Sequence, residues 1–566
     1  FQTENVTDMS RMFDRCLELK ELDLSNFNTE KVKSMDGMFA VCESLQKINI
    51  SNFNTKKVTD MSRMFYDCRS LKKINLSNFN TENVEEMDAL FSECIALTSL
   101  NLSNFNTEKV KRMGGMFYKC RSLTSLNLSN FNTENVKEMD GMFENCTMLE
   151  WVDLTNVQMG AASTASYMFA DCVNLTTIFC NHSWSSKFDE ELFNNCPKLK
   201  GAVAYDETQI DATMANPTTG YFTSKLEAYA HQSEDQKTLT FYYDKLRASR
   251  KGHTWGINEQ KKEYDTMVPA WTGTVDPYDI PIKKAVFDPS FKDFRPTTTA
   301  NWLQGLWYLE TVEGLENLNT SQVTNMSRMF YDNIALKAID LSHFQTENVT
   351  DMSWMFYRCR KLKELDLSNF NTEKVKSMEG MFKECYALTS LDLSNFNTEK
   401  VKSMKEMFDE CEALTSLDLS NFNTEEVKSM SYMFNGCKSL KKINISNFNT
   451  GKVEDMSSMF RFCKSLTSLN LSHFNTEKVK DIYGMFENCT MLEWVDLTNF
   501  QIGDASNTFS MFEDCVNLTT IFCNHSWSSL FGPDLFKNCP KLKGAVAYDE
   551  TQTDGKMANP ITGYFT

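Results

Sequence analysis

The sequence predicts a β-rich α/β solenoid, on three observations: a short period, the phrase that fills it, and a longer period laid over both. Cysteine recurs at 16, 42, 68, 94, 120 and 146, a constant step of 26 residues. Around each one returns V-x-x-M-x-x-M-F-x-x-C-x-x-L-x-x-L-x-L-S-N-F-N-T. A repeat of roughly 20–29 residues carrying L-x-x-L-x-L reads as a leucine-rich-repeat coil, which buries its apolar side only by stacking on its neighbours. The longer period is 343 residues, since 1–223 aligns with 344–566 without insertion or deletion. Gly141 to Asn156, for example, is identical to Gly484 to Asn499. The chain opens inside one block and closes at the end of the next, as expected of a piece of a longer tandem array.

Within a coil such as Val58 to Thr81, Ile74 and Leu76 stand two apart, the spacing of a short strand with Lys73, Asn75 and Ser77 outside. Met64, Phe65 and Cys68 have the i, i+1, i+4 spacing of a helical turn, which supplies the α component of the predicted fold. Val58 to Met61 reads as an extended arc. Ser77-Asn78-Phe79-Asn80-Thr81 makes the corner, where short polar side chains satisfy their own backbone and that of the next coil.

The first solenoid is placed at 1–223. Ala228-Tyr229-Ala230 and Leu239-Thr240-Phe241-Tyr242-Tyr243 read as a hairpin opening a connector at 224–281, and 247–280, with Gly252, Pro269, Gly273 and Pro277, reads as loop. The apolar pattern returns in the second solenoid, 282–566. Its first coils, around Val286-Phe287, Trp302-Leu303, Leu306 and Leu309, are degenerate, as capping coils must be to shield the core.

Sixteen of the eighteen cysteines fall on the coil register. They are Cys16, Cys42, Cys68, Cys94, Cys120, Cys146, Cys172 and Cys196, then Cys359, Cys385, Cys411, Cys437, Cys463, Cys489, Cys515 and Cys539. Stacking sets their side chains parallel and inward, so they read as a structural ladder of buried thiols and not as disulfides. Asn333 replaces the cysteine in one coil, so the ladder does not depend on strict pairs. Cys180 and Cys523 take an inward strand position, and a Cys180–Cys196 bridge stays open. The methionine columns read as core filler.

The composition narrows the function classes. A formal net charge of −18 with interleaved signs argues against nucleic acid and anionic membrane as partners. No run of apolar residues is long enough to span a bilayer. The six histidines are scattered, and no H-x-x-x-H, C-x-x-C, G-x-G-x-x-G or phosphate-loop pattern occurs. No enzyme, no cofactor and no metal site is expected.

The text Leu22-Asp23-Leu24-Ser25-Asn26-Phe27-Asn28-Thr29, continued by Val32, Met35, Met38, Phe39 and Cys42, closely resembles the BspA-like leucine-rich-repeat surface proteins. Gly201 to Asp206 and Thr219 to Thr223 resemble the ends of such blocks. The resemblance implies an exported, extracellular or cell-surface adhesive protein, and it brings no catalytic motif.

For binding, the informative surface is the outer side of the strands. Its columns hold small polar residues until the last coils, where Trp151, Asp153 and Phe179 appear, with Trp494, Asp496 and Phe522 as their copies. Aromatic rings beside hydroxyls and amides suit a protein loop or a glycan. Against this stands the reading in which Trp151 folds over the edge onto Trp184 and the asparagine columns merely stabilise the stack. The leading expectation is an adhesin for extracellular protein or glycan. A fibre or coat assembling through its own repeats is the alternative.

Overall fold

The computed structural model describes residues 3–159, 163–184, 191–263, 266–272, 281–502, 507–527 and 532–566. They form two compact units, Phe1–Leu226 with Lys245–Ser249, and Glu227–Asp244 with Arg250–Thr566. Both are β-solenoids with almost no helix. Among the described residues the helical content is five 3-10 segments of three to five residues, and no helix is long and apolar enough to cross a membrane.

In the first unit, parallel single-residue bridges run unbroken from Asp8 through Ser34, Asp60, Glu86, Arg112 and Glu138 to Thr164, along the arc side. The strand side is a ladder with gaps. Glu21–Asp23 pairs with Lys47–Asn49, and Ser125–Asn127, Trp151–Asp153, Thr177–Phe179 and Phe222–Thr223 make one parallel sheet. The core is columnar. Phe13, Phe39, Phe65, Phe91, Phe117, Phe143, Phe169 and Phe193 stack ring on ring at 5.4–6.0 Å.

The α component is absent from these coils, and the hydrogen bonds give the reason. Met64 N–H donates to Met61 O (3.3 Å), but Phe65 N–H donates to Leu90 O (3.0 Å) in the next coil. Tyr66 then donates to Arg63 (2.9 Å) and Asp67 to Ser92 (2.8 Å), so local and inter-coil bonds alternate. Arg63 and Asp67 take left-handed backbone angles, φ 54° and 58°, which no α-helix accommodates. The segment is a chain of tight turns hydrogen-bonded along the stack. It still sends Met61, Met64, Phe65 and Cys68 inward, all fully buried.

In the second unit the arc bridges run from Thr298 to Asn507, and a second phenylalanine column runs from Phe330 to Phe536. Its first coils are covered by a five-stranded sheet ordered Thr311–Glu313, Lys284–Phe287, Thr238–Asp244, Glu227–Gln232, His253–Gly256. The expected hairpin is therefore an antiparallel pair within this cap. Phe241 stacks on Phe287 (4.5 Å) and Trp302 (5.6 Å), and the Trp271 indole donates to Trp302 O (2.8 Å). One apolar core thus runs from the cap through the solenoid. The segment read as loop holds His253–Gly256 and the hairpin Gln260–Glu263 with Thr266–Pro269. Gly273 and Pro277 lie outside the described residues.

All eighteen thiols are free, Cys180 and Cys196 included. Fifteen of the sixteen ladder cysteines are buried, and Cys16 is half-buried. The ladder is more than filler, since each buried thiol donates to a phenylalanine carbonyl of the coil before. Cys68 reaches Phe39 O at 3.3 Å and Cys120 reaches Phe91 O at 3.1 Å. Burial pushes the Cys120 thiol up to about 12, which keeps it protonated and unreactive.

Candidate functional site

Alternation along a strand puts every second side chain outside, and in Trp151–Asp153 it sends Val152 into the core and Trp151 out. Parallel pairing sets Trp151 beside Thr177 and Asp153 beside Phe179. The indole reaches diagonally to Phe179, with centroids 6.4 Å apart at 66°, an edge-to-face contact. Trp494 and Phe522 repeat it at 6.3 Å and 68°. Both indoles are 38% exposed. Trp184 is not their partner, because it lies buried at 4.8 Å from Phe222.

Two residues at this end escaped the sequence reading. Met148 and its copy Met491, each 47% exposed, stand three residues before the indoles and widen the apolar surface. The available signal was a methionine after Cys-x where other coils carry Ser, Ala, Glu, Asn or Lys. The second is Lys225. Its backbone exchanges two 2.8 Å hydrogen bonds with the Asn181 side chain. Its ammonium reaches Asp153 Oδ2 at 2.5 Å and lies 5.5 Å from the Phe179 ring centre.

Asp153 is consequently fully buried, held by Lys225 and by the backbone N–H of Thr155 (3.0 Å) and its hydroxyl. It acts as an anchor and is not presented to a ligand. Asp496 accepts the matching bonds from Thr498. Nearby, His182 is pushed down to about 4 by burial and by the Arg247 guanidinium, so its imidazole is neutral at physiological pH. Arg247 itself donates to Asn156 Oδ1 at 3.2 Å.

The asparagine columns mostly serve their own turns. Asn75, Asn101 and Asn127 each accept from the serine N–H two residues on, at 3.1, 3.1 and 3.0 Å. On the arc side lie two grooves of about 310 and 380 Å³, lined by lysine, glutamate and one asparagine each, among them Lys376, Lys402 and Asn423 in one and Lys111, Lys137 and Asn135 in the other. Among the described residues no group of three His, Cys, Asp or Glu is placed to hold a metal ion.

A family model described as "Mycoplasma protein of unknown function, DUF285" matches residues 1–99, 69–184, 300–417 and 403–525, and the chain belongs to that family. No curated protein matches. Among solved structures, a leucine-rich repeat protein from Bacteroides ovatus is similar at 15% identity over 86% of this chain and 87% of that one, TM-score 0.23. A leucine-rich cell surface protein from Faecalibacterium prausnitzii is 14% identical over 93% and 84%, TM-score 0.17. An internalin from Listeria monocytogenes is 11% identical over 92% and 85%, TM-score 0.17. Likeness at this level carries no argument about function.

Proposed function

We propose that the chain is a non-enzymatic adhesin or interaction protein of the cell surface, holding an extracellular protein or glycan at the strand-side end of each solenoid. The observation that carries this reading is the edge-to-face pair of exposed Trp151 and half-buried Phe179, built again with the same geometry by Trp494 and Phe522, both exposed. Rings held by a rigid sheet offer contact area at little entropic cost, and flanking hydroxyls and amides orient a ligand. Blocks displayed in tandem raise weak single-site binding by about 10²–10⁴ where geometry allows simultaneous contact.

The test is the full chain, thiols reduced, on an array of mucin glycans and matrix proteins, beside Trp151→Ala/Trp494→Ala and a light-scattering mass. Binding that the double variant loses by about tenfold or more supports the adhesive reading. Near-identity of the two blocks also suits a self-assembling fibre. Silence on the array with a mass far above one chain favours that reading instead.

A further inference from the structure

The turn side of the second unit carries a feature that its first-unit counterpart lacks. At matched positions the first unit has Arg11, Asp14, Leu17 and Glu43, where the second has Trp354, Tyr357, Arg360 and Tyr386. The aromatic residues are stacked across coils. Tyr331 lies 4.5 Å from Tyr357, and Trp354 meets Tyr357 edge-on at 5.5 Å. Trp354 lies flat over the next coil, where a Cβ on Gly380 would come within 2.4 Å of the indole. Glycine at 380 is what lets the ring lie down.

Beneath the rings runs a frame of half-buried charges. Arg358 pairs with Asp332 at 3.0 Å, and Arg360 with Glu384 at 2.6 Å. Glu384 also accepts from the Tyr357 and Tyr386 hydroxyls, each at 3.1 Å. The Tyr357 and Tyr386 hydroxyls are thus turned to the frame, and the rings of Tyr331, Trp354 and Tyr357 stay half-exposed at the surface. One cation at the patch is not neutralised. Arg328 stands one coil before Trp354 in the same column, 5.8 Å from the Tyr331 centroid, and among the described residues it forms no ion pair.

We propose that this patch of Arg328, Tyr331, Trp354 and Tyr357 docks an acidic segment of a partner protein. Tryptophan, tyrosine and arginine dominate the residues that carry binding energy at protein interfaces, and rings already locked by packing lose little freedom on contact. Arg328 supplies a planar fork matched to a carboxylate, which sets the sign of the partner. The patch is separate from the strand-side end, so either site can fail without the other.

The experiment is titration of the full chain with two synthetic peptides of one apolar framework, one carrying aspartate and glutamate and the other lysine at the same positions. Tryptophan fluorescence is the readout, and a sialylated glycan is the third probe. The acidic peptide is expected to bind about tenfold more tightly than its lysine twin, Arg328→Gln to abolish that preference, and Trp354→Ala to weaken binding about tenfold. Trp354→Arg, which restores the first unit's residue, serves if the alanine variant melts early. Equal binding of the two peptides, no binding tighter than about 1 mM, stronger binding of the glycan, or indifference to the Trp354 variants overturns the proposal.

Discussion

Two sides of the same coil are built by opposite means. At the corner, side chains do the stacking. Thr81 Oγ1 donates to Asn106 O (2.8 Å) and accepts from Asn106 N–H (2.7 Å), while Asn104 Nδ2 bridges Leu76 O and Phe79 O. The same bonds recur at Thr372 and Asn395 in the second unit. On the turn side, backbone amides do the stacking in every coil, as Phe65 and Asp67 show, and outward side chains add contacts that differ from coil to coil, such as Lys438–Glu412 (2.6 Å). Where side chains hold the stack the sequence repeats almost letter for letter, and where the backbone holds it the sequence drifts. Tyr66 and Asp67 in one block are Asp409 and Glu410 in the other.

The comparison can be broken or sharpened at four places. Phe382 lies buried between Phe356 (5.9 Å) and Phe408 (5.7 Å), so Phe382→Ala costs about 3–5 kcal/mol in urea unfolding even though it belongs to the variable side. Asn395→Ala leaves Leu367 O and Phe370 O without their side-chain donor, bonds of 2.9 and 2.8 Å, and is expected to cost about 1–3 kcal/mol. Asn333 is fully buried with neither amide atom hydrogen-bonded, so Asn333→Cys, which restores the ladder residue, is expected to stabilise the chain by about 1–2 kcal/mol. The fourth effect is electrostatic. His182 titrates near 6.5 when unfolded and near 4 when folded, so the unfolded chain binds more protons between those values. Stability of the first unit should therefore fall as pH drops from about 6.5 towards 4. In His182→Gln that part of the slope should disappear from melts recorded across the window.

Much of this was legible in the sequence, and the rest was hidden for physical reasons. The buried thiols and the inward Met and Phe columns follow from periodicity, because burial repeats with the coil. The α component misled because Met64, Phe65 and Cys68 have a spacing that one helical turn and a chain of tight turns share. The choice between them lies in amide bonds to residues 25 positions on, such as Phe65 to Leu90. Trp151 stands outside as strand alternation requires. Asp153 does not, because Lys225 covers it from 72 residues away, beyond the reach of any local pattern.

The central claim, that the corner holds the solenoid and the outward turn positions tolerate exchange, meets its most direct test in one coil pair of the second unit, where Lys438 and Glu412 are paired at 2.6 Å. Glu412→Arg/Tyr432→Ala/Lys438→Ile installs the first unit's residues on the turn side. Thr424→Val removes one buried corner hydroxyl that bonds Asn449 O (2.9 Å) and Asn449 N–H (2.7 Å). Thermal melts of the full chain should show the triple variant unchanged and the single variant destabilised by about 1–3 kcal/mol. A triple variant that melts early beside an unaffected Thr424→Val would contradict the account.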